Sequence, residues 1–158
     1  MTSGLPSIKT CLAAAVWTAF GAVAMAADAP GAQAPVAPDR MATARAAIKA
    51  KNWSNAIKEL SAAVRAEPKN ADAHNLLAYS HRKQAQPDLA KAFEHYKIAL
   101  QLNPQHLGAH EYIGAAYSMA KKPEEAEKHL AILEKLCGNK TCEEYLDLAK
   151  AVADYRAK

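Results

Sequence analysis

The chain is 158 residues long, 51% hydrophobic, with 20 basic against 16 acidic residues and a net charge of +4. That leaves room for one modest domain. The positive excess is too small and too dispersed to argue for nucleic acid or a lipid surface as a partner.

The first element is a leader, expected over 1–27. Met1 to Lys9 carries a single positive charge, an apolar run from Leu12 to Ala24 follows, and the segment closes on Ala24-Met25-Ala26-Ala27. Charged start, apolar middle and small-residue end are the order of a secretory signal peptide. The run is shorter than the roughly 20 residues a spanning helix needs, and its alanines are weakly lipophilic. Cleavage after Ala26 or Ala27, a periplasmic mature chain and no stable membrane insertion are therefore expected. Cys11 precedes the apolar run instead of closing it, so it does not mark a lipoprotein. Cleavage removes Lys9 and leaves Cys137 and Cys142, an even pair in an oxidising compartment. Residues 28–38, Asp28 to Pro38, are rich in proline and alanine without periodicity and read as a flexible linker.

The folded part is expected over 39–157, and its main signal is internal repetition. Ala56-Ile57-x-x-Leu60-x-x-Ala63-Val64-x-x-x-Pro68 recurs as Ala92-Phe93-x-x-Tyr96-x-x-Ala99-Leu100-x-x-x-Pro104. It returns as Ala126-x-x-x-Leu130-x-x-Leu133, ending in Cys137-Gly138. Upstream of each copy a small residue, Ala44, Ala78 or Gly114, falls where a first helix must let its partner approach. Small residues bring helix axes together, large ones fill between them, and proline ends the second helix because it has no N–H.

On these residues the chain resembles the tetratricopeptide repeat family, built of repeats of about 34 residues that fold as antiparallel helix pairs. Leu77-Ala78 and Ile113-Gly114 match the family's Leu-Gly position, and Tyr117 its following aromatic. Ala56, Ala92 and Ala126 match the small residue of the second helix, and Pro68 and Pro104 the closing proline. His81 stands where Tyr117 does in the next repeat, repeat two is two residues longer, and Leu133 and Gly138 replace the usual Ala and Pro. The resemblance implies an all-α solenoid of about three repeats, over 37–70, 71–106 and 107–138. Its helices are expected at 40–51, 53–66, 71–85, 87–102, 106–121 and 123–137, with Pro87 and Pro123 in first turns, where no N–H is needed. A capping helix is expected at 142–156, opened by a capping box Thr141-Cys-Glu-Glu144. Its apolar face, Tyr145, Leu148, Val152 and Tyr155, would cover the end of the stack.

No catalytic set is visible: there is no phosphate loop, nucleophile elbow, paired zinc cysteines or haem motif, so neither enzyme activity nor a cofactor is expected. Cys137 and Cys142 flank the turn Gly138 to Thr141 and read as a disulfide staple. A thiol-redox role is the alternative, since Cys142 lies in a helix first turn, which favours thiolate. Six histidines raise a second alternative, periplasmic copper or zinc handling. His106 and His110 are four apart and could share a helix face, but a helix N-terminus opposes a cation, and no metal site is expected.

The remaining candidate is the concave groove, which the resemblance places on the first helix of each repeat. There the sequence sets Asn75, Tyr79 and Arg82 from repeat two and Glu111, Ala115 and Ser118 from repeat three. Met41, Arg45 and Lys49 come from repeat one. Asn75 could bond an extended backbone, Tyr79 pack a side chain and Arg82 pair with a carboxylate of the bound segment. As groove residues, Asn75 and Arg82 are expected to matter little for stability. The two-carboxylate clamp of chaperone-binding members needs Lys and Asn at set places that this chain does not fill. A protein or peptide partner of another kind is expected.

Overall fold

The computed structural model describes residues 37–157; the leader and most of the linker expected from the sequence lie outside the described residues. Seven α-helices follow in order: α1 (Ala37–Lys49), α2 (Trp53–Ala66), α3 (Ala71–Lys83), α4 (Leu89–Leu102), α5 (Leu107–Met119), α6 (Pro123–Cys137) and α7 (Glu143–Arg156). No strand occurs among the described residues, and no helix there is long and apolar enough to cross a membrane. Each helix packs on the next, and α5 also packs against α3 and α7. This is the connectivity of a solenoid.

Local chemistry sets the helix bounds. Asn52, Asn70 and Asp88 cap α2, α3 and α4, each side-chain oxygen accepting the N–H three residues on. Asp88 therefore starts α4 at Leu89, and Pro87 lies ahead of the helix instead of in its first turn. Helix α1 begins at Ala37, so the expected linker gives up its last two residues; Pro38 falls in the first turn, where its missing N–H costs nothing. The capping box expected at Thr141 does not form. Asn139 Oδ1 accepts both the N–H and the hydroxyl of Thr141, and the N-cap moves to Cys142, which makes no side-chain cap bond. Gly138, at φ +69, ends α6 in the left-handed conformation that glycine tolerates best.

The core is built in register with the repeats. Ala44, Ala47, Ala56 and Leu60 are buried with Leu77 of α3, while Ala78, Ala92, Tyr96 and Ala116 are buried with Ile113 of α5. Ala126 and Leu133 are buried with Leu148 and Val152 of α7. Leu77, Ile113 and Leu148 thus do the same work, each closing the preceding helix pair. A Cβ on Gly114 would lie 2.6 Å from Leu148 Cδ2, so the glycine sets how closely α7 approaches α5. Helix α7 sits where the first helix of a fourth repeat belongs, and Leu148-Ala149 repeats the large–small pair. Leu133 accordingly fills a buried contact instead of a free end.

Candidate functional site

Helices α3, α5 and α7 present one continuous face, and α3 and α5 meet there in rungs. At the first rung, a Cβ on Gly108 would sit 3.5 Å from Asn75 Nδ2. At the second, the rings of Tyr79 and Tyr112 lie 4.6 Å apart, with Trp53 edge-on to Tyr79 at 6.0 Å. At the third, Arg82 and Ala115 line a cavity of about 170 Å³ together with Ser118, Met119, Ala151, Asp154 and Tyr155. That cavity draws on all three helices, so α7 is a wall of the groove as well as a cap.

The six sequence-derived groove residues differ in what they offer. Tyr79, Arg82, Glu111 and Ala115 are half-buried and reachable. Asn75 is only 4% exposed, and its Oδ1 is a buried acceptor without a hydrogen-bond partner. Ser118 is buried and donates back to Gly114 O at 3.4 Å, leaving little for a partner. Arg82 is not a free guanidinium. It lies over both Tyr79 (5.3 Å) and Tyr112 (5.6 Å), and its Nε donates to the hydroxyl of the fully buried Tyr96 at 3.3 Å. The expectation that Asn75 and Arg82 stand apart from the fold is therefore corrected. A buried phenol needs a hydrogen-bond partner, and Arg82 provides it. Of the repeat-one residues, Arg45 is exposed and pairs with Asp72 at 3.5 Å, and Lys49 is exposed.

Glu111 has the least ordinary environment. It faces α7, where Asp147, Glu144 and Glu143 add negative charge, and Arg82 offsets them only in part. Burial, then those carboxylates, push its pKa up to about 8. Burial, then Glu111, push the Tyr112 phenol up to about 12. Glu111 makes no hydrogen bond or ion pair among the described residues.

A second repeated feature joins the helices behind the groove. His74 Nε2 lies 3.0 Å from Pro68 O and its Nδ1 3.1 Å from His95 Nδ1; His110 Nε2 lies 2.9 Å from Pro104 O and its Nδ1 2.9 Å from His129 Nδ1. A carbonyl only accepts, so Nε2 of His74 and of His110 carries the proton, and Nδ1 of each neutral ring accepts from its partner. The pairs stitch first helix to second in repeats two and three and tie each repeat to the proline that closes the one before. Sequence reasoning missed them. The available signal was that His74 to His110 and Pro68 to Pro104 are both 36 positions.

The same bonds engage the chelating pair considered from sequence. Both nitrogens of His110 are engaged, while His106 caps α5 by accepting from Ala109 N–H at 3.3 Å. The other nitrogen of His106 lies 3.0 Å from Asp72 Oδ1, outside hydrogen-bonding geometry. Cys137 and Cys142 meet, with Cα atoms 6.3 Å apart and sulfurs within bonding distance. Glu144 places a carboxylate oxygen within 4.8 Å of both sulfurs.

Residues 41–106 match the tetratricopeptide repeat family, and the repeat-by-repeat core extends the pattern through α7. That segment is tetratricopeptide repeat, and the described residues as a whole have the all-α solenoid fold of such domains. Solved tetratricopeptide repeat domains superpose on most of the chain. The first such domain of Spaghetti (RPAP3), bound to the HSP90 peptide SRMEEVD, is 20% identical, with TM-score 0.66 over 77% of this chain and 96% of that one. The TPR2B domain of yeast Sti1, in complex with a pHsp70 partner, is 14% identical with TM-score 0.68, over 77% and 96%. The Arabidopsis OM64 domain is 16% identical with TM-score 0.67, over 76% and 96%. At these identities the likeness is one of fold. No curated protein sequence matches the chain.

Proposed function

We propose that this tetratricopeptide repeat protein is an exported, non-catalytic adaptor whose concave face docks an extended segment of a partner protein in the periplasm. The observation that carries this reading is the aromatic shelf where α3 meets α5: Tyr79 and Tyr112, both half-buried with ring centroids 4.6 Å apart, with Arg82 lying over the two rings. Tyrosines give a passing side chain apolar area and a polar edge. The peptide-bound relative lends the fold-level precedent. Export is supported by the leader pattern, and an oxidising compartment suits Cys137 and Cys142 joined as a disulfide.

The test is site-specific photo-crosslinking in cells. A crosslinker in place of Tyr79 is expected to form adducts with a partner, while one in place of Lys97, exposed on α4, forms none. Adducts from Lys97 alone would move function to the convex face. N-terminal sequencing of the same material is expected to begin at Ala27 or Asp28, and a chain still starting at Met1 would remove the export half of the proposal.

A further inference from the structure

The α5/α6 histidine pair has the geometry of a metal chelate as well as of a hydrogen bond. A histidine that holds a metal ion donates its other ring N–H to a carbonyl or carboxylate, which fixes the tautomer and the ring. His110 is held in that way: Nε2 donates to Pro104 O at 2.9 Å and turns the Nδ1 lone pair toward His129. The two Nδ1 atoms are 2.9 Å apart. Two nitrogens bonded to one zinc ion at about 2.0–2.1 Å stand about 2.9–3.4 Å apart, for angles from square to tetrahedral. The ion takes the place of the shared hydrogen, whose proton passes from Nδ1 to Nε2 of His129, the other neutral tautomer. His110 is buried but His129 only half-buried, which leaves the pair an approach from solvent.

The α3/α4 pair, His74 and His95 with Nδ1 atoms 3.1 Å apart, is the built-in comparison. The two pairs differ in the residue one turn before the second histidine, on the same helix face. For His129 it is Glu125, half-buried, whose carboxylate is held by the exposed Lys128 at 2.6 Å, a surface pair worth little. For His95 it is Lys91, an ammonium that offers no lone pair and repels a cation. His81 does not make up the loss. Its ring stacks on His95 at 6.3 Å, and rings only 7° from parallel do not aim their nitrogens at one point. We propose that His110 and His129, with Glu125, form a site for a divalent transition-metal ion such as zinc or copper, and that the α3/α4 pair does not. Imidazole nitrogens and a carboxylate oxygen suit these ions. The chelate runs across α5 and α6, not along α5 as His106 with His110 would.

Calorimetric titration of the untagged, EDTA-treated chain with zinc chloride, without thiol reductant, tests this. One zinc ion per chain is expected. His129→Phe should abolish uptake, His95→Phe should leave it unchanged, and Glu125→Gln should weaken it about tenfold or more. Glu125→Lys, which copies repeat two, should remove it. The Glu125 variants change a surface side chain, so lost uptake with unchanged thermal unfolding of the metal-free chain is lost binding, not lost folding. Zinc should also raise the Tm of the parent and not that of His129→Phe. No uptake, or uptake that survives His129→Phe, would overturn the site. A second ion of equal affinity that disappears with His95→Phe would overturn the part given to Glu125. Uptake seen only after a dithiol reductant is added would assign the metal to Cys137, Cys142 and Glu144 and overturn the histidine site.

Discussion

Burial and the nearby carboxylates both favour the neutral form of Glu111. Its ordinary value is 4.5, against about 8 in the fold. Between those values the folded chain holds a proton that the unfolded chain has released, so this residue makes stability fall as pH rises through that window. Glu111→Gln keeps the shape and removes the titration. The variant is expected to be more stable than the parent by about 1–2 kcal/mol at about pH 9, after allowing for screening on the exposed side, with the difference fading below about pH 4.5. Urea unfolding at several pH values measures this, and a difference that does not vary with pH would show that Glu111 does not carry the shift. Arg82 does not make so clean a probe. Its loss strands the Tyr96 hydroxyl in the core, and an unpaired buried group costs about 1–3 kcal/mol by itself.

Among elements, the histidine pairs make the stack depend on pH in the opposite sense. Burial, then His110, depress the pKa of His129 to about 4 from 6.5, and burial, then His74, lower that of His95. An unfolded chain takes up protons that the folded pairs refuse, so stability is full above about pH 6.5 and is lost as pH falls toward about 4. Phe in place of His129 keeps a ring against Tyr117, which stacks there at 5.7 Å, and cannot titrate. His129→Phe is expected to lower stability at neutral pH by about 1 kcal/mol, one hydrogen bond, and to flatten the fall in Tm between neutral and acid pH. Parallel pH profiles for variant and parent would show that the pair is not the titrating unit. Much of the element plan was legible because it depends on local chemistry: α2 and α6 begin and end where apolar spacing, Asn52, Pro123 and Gly138 put them. The start of α4 moved because Asp88 offers an oxygen to Lys91 N–H and Pro87 offers nothing. The histidine pairs and the Arg82–Tyr96 bond span 14 to 21 residues. Such contacts depend on how side chains meet across helices, which periodicity does not specify. The six candidate groove residues lie on α3 and α5, but the burial of Asn75 and the carboxylates around Glu111 emerge only from packing.

At the scale of the whole molecule, each helix is held only by near neighbours, so stability accumulates along the stack and can be lost from an end. The α7 end is secured by Leu148 and Val152 in the core, by the fit of Leu148 against Gly114, and by the junction at Cys137 and Cys142. The Arg156–Glu127 ion pair is on the surface and contributes little. A disulfide at the junction closes so short a loop that chain entropy gives it about 2 kcal/mol. That stabilisation should be local, because the helices α7 packs against are α5 and α6. Cys142→Ser, or reduction of the parent, is therefore expected to speed amide hydrogen exchange first in α7, then in α5 and α6, and to leave α1 and α2 unchanged. Equal acceleration in every helix would show that the solenoid opens as one unit. No acceleration would show that packing against Gly114 holds α7 without the bond. Because Ala151, Asp154 and Tyr155 of α7 line the groove cavity with Arg82 and Ala115, loosening α7 should also weaken binding of a docked peptide. In the expected case, exchange in α7 and peptide affinity change together across a titration with reductant, which ties the covalent junction to the partner-binding face.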